Sequence, residues 1–283
     1  MVSFSGRFRE RGSFLIKMKV SVLGSGSKAN CSYFESQGVS ILVDCGLTAK
    51  QTELRMRSLG LDPAELDAII ISHEHGDHIR GASVLSRRYE LPIYANEATA
   101  NFLENVFEIR HFKTGKDFDL CFRDSSIRIK PFSVVHDAAD PVGFVIESNN
   151  KKFSYLTDTG KITTLIKQKV SYSDILILEA NYDKDLLSEC QYPWELKQRI
   201  SSSHGHLSTC ESAKFLREVD HSGLSHVILV HLSENSNSEI ATLNRMKKIV
   251  AIEDFDTFIC AKQKEPTPLI QLEVRPKGNL KVA

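Results

Sequence analysis

Residues 72–81 read SHEHGDHIRG, and five of these ten side chains, His73, Glu74, His75, Asp77 and His78, can bind a metal or move a proton. The stretch follows DAIIIS (67–72), whose continuous apolar character suits a strand covered on both faces. The cluster therefore stands at a strand's C-terminal end, where open α/β sheets place their ligands. Side chains alternate with period two along a strand, so His73 and His75 are expected on the same side of its end. Asp77 and His78 are expected to fold back toward the same point in a tight turn eased by Gly76. Imidazole and carboxylate without thiolate suit Zn, Mn or Fe and argue against a purely structural cysteine-type zinc site. The competing reading is an exposed, charged turn that happens to be rich in histidine, and the rest of the chain has to decide.

The chain has 283 residues, 41% hydrophobic and 25% charged, which suits one large domain with a sizeable core. Lys plus Arg and Asp plus Glu are equal at 36 each, so no global field draws the protein to nucleic acid or a membrane. A polyanion has to be held by local patches or by metal. Six scattered cysteines without a CxxC pair predict reduced, mostly buried thiols in a cytoplasmic protein. No apolar run approaches the ~18 to 20 residues of a membrane helix, so no membrane partner is expected; a homodimer stays open. Residues 1–17 read as a disordered N-terminal extension without the apolar segment of a secretory signal. Residues 18–283 read as a single domain, with LIQLEV (269–274) adding an edge strand.

Working outward, short strands KVSVLG, CSYFES and SILVD precede a helix over 48–59, and helices over 79–89 and 97–105 flank the strand LPIYA. A strand-dense stretch covers 107–158; strands DILILEA and HVILVHL then alternate with helices over 161–170, 193–200 and 208–220. Strands mixed with helices in both halves predict an α/β fold of two packed sheets with helices outside. Four ligands from one turn seldom complete a catalytic site, so further His or Asp residues are expected at later strand ends. His136 follows IRIKPFSVV, Asp158 follows KFSYLT and His231 follows HVILV. Singly, each is most often a capped or solvated turn residue; three arriving in step with HxHxDH favour a two-metal centre.

With these residues in place, the chain resembles metallo-β-lactamase-fold hydrolases. The motifs come in family order from Met18 over nearly the whole chain: Asp44 after SILV, the HxHxDH run, then His136, Asp158 and His231. The resemblance implies an αββα four-layer sandwich with a dinuclear site at the edge between the sheets. It implies that His73, His75 and His136 hold one divalent ion, that Asp77, His78 and His231 hold a second, and that Asp158 bridges them. Asp44 would stand behind these ligands and fix their loop by hydrogen bonds. The ions could be Zn, Mn or Fe. Such a pair, about 3.5–4 Å apart, lowers the pKa of a bridging water and clamps the oxygens of an in-line displacement. The implied nucleophile is the bridging hydroxide, with Asp77 orienting it and receiving its proton.

Fold does not choose the substrate. Glu179 in LEANYD and His206 in SHGHLST resemble the Glu and His of ribonuclease Z-like phosphodiesterases, where the His, supported by the Glu, protonates the leaving oxygen. A carboxylate held against an imidazole raises its pKa and fixes its tautomer, as a general acid requires. The other reading of His206 is a cap on the helix that begins near Ser208. YPWELKQRI followed by GHLST, together with GSGSKANCSY and LPIYAN, is similar to the YycJ (WalJ) group. That resemblance implies 5′-3′ exonuclease activity on double-stranded DNA and a part in DNA repair, although His204 and HLSENSN depart from the group's pattern. Ser25, Ser27, Ser233 and Asn235 are candidate phosphate contacts, which turn chemistry explains equally well. The pairs Arg87–Arg88 and Lys197–Arg199 read as solvated faces, and Tyr192 and Trp194 as packing. Alternatives are RNA processing of the ribonuclease Z or J kind, an acyl hydrolase acting on a thioester or lactam, and a metal-stabilised interaction protein. The full ligand set argues against the last. The chain leaves no room for the inserted domain of ribonuclease J and carries no Gly/Pro-rich arm for gripping tRNA.

Overall fold

The computed structural model of the protein describes residues 16–250 and 258–274. The first half supplies β1 (Ile16–Gly24), β2 (Cys31–Ser36), β3 (Val39–Val43), β4 (Ala68–Ile70), β5 (Pro92–Asn96) and β6 (Glu108–Phe112). The second sheet contains β7 (Phe118–Phe122), β8 (Ser125–Ser133), β9 (Val142–Ser148), β10 (Lys151–Leu156), β11 (Ile175–Glu179), β12 (His226–Val230) and β13 (Phe258–Cys260). The strand LIQLEV supplies β14 (Ile270–Val274), which pairs antiparallel with β1 at the edge of the first sheet. The orders are β14-β1-β2-β3-β4-β5-β6 and β13-β12-β11-β10-β9-β8-β7.

Strand periodicity explains the layers. In β11, Ile175 and Ile177 face the core between the sheets, while Leu176 and Leu178 face a second core on the outer side. In β3, Val39, Ile41 and Val43 point inward and Leu42 points out. A strand buried on both faces has to be apolar at every position, which is why DILIL and SILV read as continuous runs. The outer face of the first sheet is covered by α1 (Ala49–Ser58), α2 (Gly76–Ile79), α3 (Ala82–Tyr89) and α4 (Glu97–Ala100), with Met56, Leu85 and Ala100 in its core. Over the second sheet lie α5 (Thr164–Val170), α8 (Thr209–Val219) and α9 (Glu239–Val250), which contribute Ile166, Phe215, Leu216 and Met246. Between α5 and α8 come α6 (Lys184–Glu189) and α7 (Trp194–Ile200). The result is an αββα sandwich, as expected.

Several local expectations change. Strand β1 starts at Ile16, two residues ahead of the boundary drawn at Met18, and residues 1–15 of the expected extension lie outside the described residues. Strand β4 stops at Ile70, so strand alternation does not set His73 and His75. Gly76 opens the helical turn α2 without a left-handed φ, and the next helix begins only at Ala82. The helix expected over 97–105 ends at Ala100. Of the six free cysteines, Cys31, Cys45 and Cys260 are buried and Cys121 is exposed, so burial is less general than expected. No helix among the described residues is long and apolar enough to cross a membrane.

Candidate metal centre

Strands β3 and β4 run parallel in one sheet, as β10, β11 and β12 do in the other. The chain leaves three of them through one kind of turn: Asp44, Asp158 and His231 follow β3, β10 and β12 with φ of 59, 53 and 58°. A left-handed backbone at a non-glycine residue costs ~1 kcal/mol or more and is kept where surrounding bonds over-determine it. Asp44 shows those bonds. Its Oδ1 accepts Ser72 N at 2.8 Å, and its Oδ2 accepts Ser72 Oγ at 2.8, His78 Nδ1 at 2.7 and Tyr155 OH at 2.8 Å. One buried carboxylate thus sets the loop after β4 and aims His78.

Proton accounting identifies which ring nitrogens are bare. The single Ser72 hydroxyl proton goes to Asp44, so His73 Nδ1, 2.9 Å from Ser72 Oγ, has to donate. His136 Nδ1 lies 3.1 Å from the carbonyl oxygens of both His204 and Gly205, so it donates too. Nε2 of each ring is left as a lone pair. Both meet His75 Nδ1, at 3.1 Å from His73 and 3.3 Å from His136. The expected first set of three histidines is therefore brought together in the arrangement that a cation satisfies.

The expected second set gathers alongside. His78 Nε2 lies 3.1 Å from Asp158 Oδ2 and 3.5 Å from Asp77 Oδ2. His231 Nδ1 is 3.1 Å from both Asp158 Oδ1 and Glu179 Oε1, which leaves its Nε2 turned toward Asp77 Oδ2 at 3.6 Å. That Nε2 is buried and has no hydrogen-bond partner. A buried ring nitrogen without a hydrogen-bond partner, turned toward a carboxylate, is costly by itself and fits a metal ligand. Asp158 touches both sets, with Oδ1 also 3.8 Å from His136 Nε2. Asn30, which sequence reasoning missed, donates from Nδ2 to Asp77 Oδ2 at 3.1 Å.

The electrostatics call for positive charge. Burial works against ionisation of Asp158, yet His231 and His78 outweigh it and hold the carboxyl well below its ordinary range. Burial also opposes charge on His78 and His231, but Asp44 and Asp158 pull the first, and Asp158 and Asp77 the second, well above the imidazole range. His73 moves the other way, pushed down by burial and by His78. Asp158 and Glu179 are buried and Asp77 is partly so; the imidazoles around them suit divalent cations with neutral rings as ligands.

Glu179 ends β11 and is fully buried. Besides His231 it accepts His206 Nδ1 at 2.7 Å, Thr159 N at 3.0 Å and Leu207 N at 3.3 Å. Burial opposes its ionisation, and His206 and His231 hold the carboxyl below its usual value. Ser208 is the N-cap of α8, with a capping box to Glu211, so His206 caps nothing. Its ring instead lines a cleft of about 400 Å³ together with His75, Asp77, His136, Asp158 and His231.

The four candidate phosphate contacts separate. Ser27 is exposed and lines the cleft. Ser25 is buried, donates to Asn30 and accepts His231 N at 2.8 Å, so it is part of the scaffold and not a cleft contact. Ser233 reaches the cleft wall, but its Oγ accepts the Asn235 and Ser236 amides. Asn235 donates to the Tyr192 hydroxyl at 2.8 Å, and Tyr192 lines the cleft. Arg199, read as part of a solvated face, stands in the cleft wall and pairs with Asp137 at 2.7 Å. Trp194 is exposed on α7 and not packed.

This fold and this site define a hydrolase of the metallo-β-lactamase class. The family model described as beta-lactamase superfamily domain matches residues 40–232. The exodeoxyribonuclease YycJ of Bacillus anthracis is 35% identical over 229 residues, covering 79% of this chain and 86% of its own. The exodeoxyribonuclease WalJ of Streptococcus pneumoniae is 36% identical over 248 residues, covering 83% and 89%. The metallo-β-lactamase fold protein YhfI of Bacillus subtilis superposes with a TM-score of 0.68 at 20% identity, over 88% of this chain and 99% of that one. The chain belongs to the metallo-β-lactamase superfamily and, within it, to the family of the first two relatives.

Proposed function

We propose that the protein is a phosphodiesterase that hydrolyses double-stranded DNA from the 5′ end, serving DNA repair in the cytoplasm. The observation that carries this reading is the Glu179–His206 pair, because a phosphodiester's leaving alkoxide needs a proton that an acyl-transfer site can supply in other ways. Glu179 Oε1, 2.7 Å from Nδ1, fixes that nitrogen as the donor toward the carboxylate, so Nε2 is the atom left to pass a proton to the leaving oxygen. His206 sits beside His136 and His231, with ring centroids 5.2 and 4.9 Å away, so the proton is released at the edge of the candidate metal centre.

His73, His75 and His136 would hold one divalent ion and Asp77, His78 and His231 the other, with Asp158 between them. When bound, such ions supply Lewis acidity and neutralise charge on the phosphate. The chain's own contribution is positional. Asp44 locks His78, the carbonyls of His204 and Gly205 lock His136, and Asn30 holds Asp77 at the floor of the cleft. Two relatives named exodeoxyribonucleases, each more than one-third identical, support DNA as the substrate.

The test is a product ladder from 5′-labelled and 3′-labelled duplex, single-stranded DNA and RNA, each incubated with Mn and with Zn. Stepwise release from the 5′ end of duplex is expected. Cleavage of RNA alone, or of no nucleic acid with either metal, overturns the reading.

A further inference from the structure

Outside the catalytic cleft the chain carries a second groove, of about 600 Å³, walled by Ile79, Arg80, Ser83, Arg87, Phe102 and Glu104. We propose that this groove holds the DNA strand flanking the scissile bond; this rests on the phosphodiesterase reading above. The groove starts where the site ends. Helix α2 carries Asp77 and His78, and the next two residues, Ile79 and Arg80, form its near wall. Ser83 and Arg87 stand four residues apart on α3, the spacing that puts side chains on one helical face, and Arg80 stands in the turn between α2 and α3. Arg80 donates to the Lys28 carbonyl at 3.1 Å, and Ser27 of that same turn lines the catalytic cleft, so groove and cleft meet across the Ser27–Lys28 turn.

Its charges are available. Arg80 and Arg87 are exposed, and among the described residues neither pairs with a carboxylate; Arg87 donates only to the Asn105 carbonyl. Arg88, the next residue, shows the contrast: it is neutralised by Glu53. A guanidinium has five donors in a fork that matches a phosphate, and one carbonyl bond leaves most of them free. The wall also presents Phe102, 55% exposed, an apolar ring left in water beside two cations. Arginine with an exposed aromatic ring is the combination that grips a nucleic-acid strand, through phosphate and base stacking. With net charge zero overall, the protein has to hold a polyanion through such a local patch. Glu104 is the unfavourable element of the wall, and it is tied by its carbonyl to Ser83 Oγ at 2.7 Å.

The experiment compares wild type with Arg80→Ala/Arg87→Ala, Phe102→Ala and Glu104→Gln. It measures anisotropy of a labelled 40-base-pair duplex across a salt series, and hydrolysis of bis(4-nitrophenyl) phosphate, an ester too small to reach the groove. Loss of two phosphate contacts lowers the slope of log K against log salt by about 1.8 and weakens binding at 0.1 M salt by roughly ten- to hundredfold. Phe102→Ala weakens duplex binding at unchanged slope, and Glu104→Gln tightens it. Turnover of the small ester stays at the wild-type level in all three variants. An unchanged slope and affinity in the double variant overturns the groove assignment, as does equal loss on both substrates, while the phosphodiesterase reading survives either result. Wild type that hydrolyses the small ester but no DNA fails the reading itself, which separates the two.

Discussion

The carboxylate of Glu179 bonds Nδ1 of His206 at 2.7 Å from a position with no exposure to solvent. The same oxygen lies 3.1 Å from Nδ1 of His231, so one carboxylate orients both the candidate proton donor and a candidate metal ligand. These two tasks come apart on mutation. His206→Ala is expected to cut kcat by the ~10²–10⁴ of a lost general acid while leaving the metal content at the wild-type level. Glu179→Gln is expected to cut the rate similarly and also weaken metal binding ~10–100-fold, because His231 loses its support. Mass spectrometry of the native protein beside steady-state kinetics reads both, and equal metal content in the two variants sinks the shared role.

Asp44 connects the two sheets to the site. It lies at the end of β3 in one sheet, yet Tyr155 of β10 in the other donates its hydroxyl to Oδ2 at 2.8 Å. Burial first, and Asp44 next, push the Tyr155 phenol well above its ordinary range, so it stays a donor throughout the working pH range. Tyr155→Phe removes one charge-assisted bond and is expected to destabilise the fold by ~1.5–3 kcal/mol with a modest loss of metal affinity. Asp44→Ala leaves Ser72, His78 and Tyr155 without an acceptor and is expected to abolish metal binding at micromolar metal. Urea unfolding and a metal titration on both variants check the order; a Tyr155→Phe variant less stable than Asp44→Ala contradicts it.

The contiguous half of the site is legible in sequence because SHEHGDH places its groups within one turn, and His136, Asp158 and His231 announce themselves at the ends of apolar runs. What holds them is not legible. Asn30 and Asp77 are 47 residues apart and Tyr155 and Asp44 are 111 apart, so no local pattern contains either bond. Period-two reasoning reaches His73 and His75 for the wrong cause: the strand ends at Ile70, and Ser72 bonded to Asp44 sets their direction. Helices α6 and α9 are both absent from the sequence reading: α9 buries Thr242, Met246 and Val250 at intervals of four, one of them polar, and α6 has only Leu187 buried and no apolar stripe to reveal it.

Two glycines separate close packing from turn freedom. A Cβ on Gly46 would stand 1.6 Å from the carbonyl oxygen of Asp77 and 2.8 Å from Asn30 N, both backbone atoms next to the site. Gly46→Ala is expected to destabilise at or beyond the upper end of the ~1–3 kcal/mol of overpacking, and to release metal. A Cβ on Gly76 meets nothing within 4 Å, and its backbone is helical. Gly76→Ala is therefore expected to be neutral or to stabilise by up to ~1 kcal/mol with metal retained. Thermal unfolding distinguishes the two, and a Gly76→Ala variant as unstable as Gly46→Ala would restore the strained turn that the sequence alone suggests.

Asp183 gives a pH signature away from the metal centre. It is the N-cap of α6, accepting Asp185 N at 3.0 Å and Leu186 N at 3.4 Å, and it pairs with Arg245 at 2.9 Å. Burial works against its charge, but the Arg245 bond and the two amides outweigh burial and hold the carboxyl below its ordinary range. A depressed folded-state pKa contributes stability in full above the unfolded value of about 3.9, and that contribution is lost as pH falls through the lower folded value. Asp183→Asn keeps the cap and removes the charge, whereas Asp183→Ala removes both and adds ~1 kcal/mol of lost capping. The gap in urea stability between wild type and Asp183→Asn is expected to be flat from pH 8 to about pH 5 and to close below about pH 4. A gap that persists unchanged into acid would show that the Arg245 pair does not depend on the Asp183 charge.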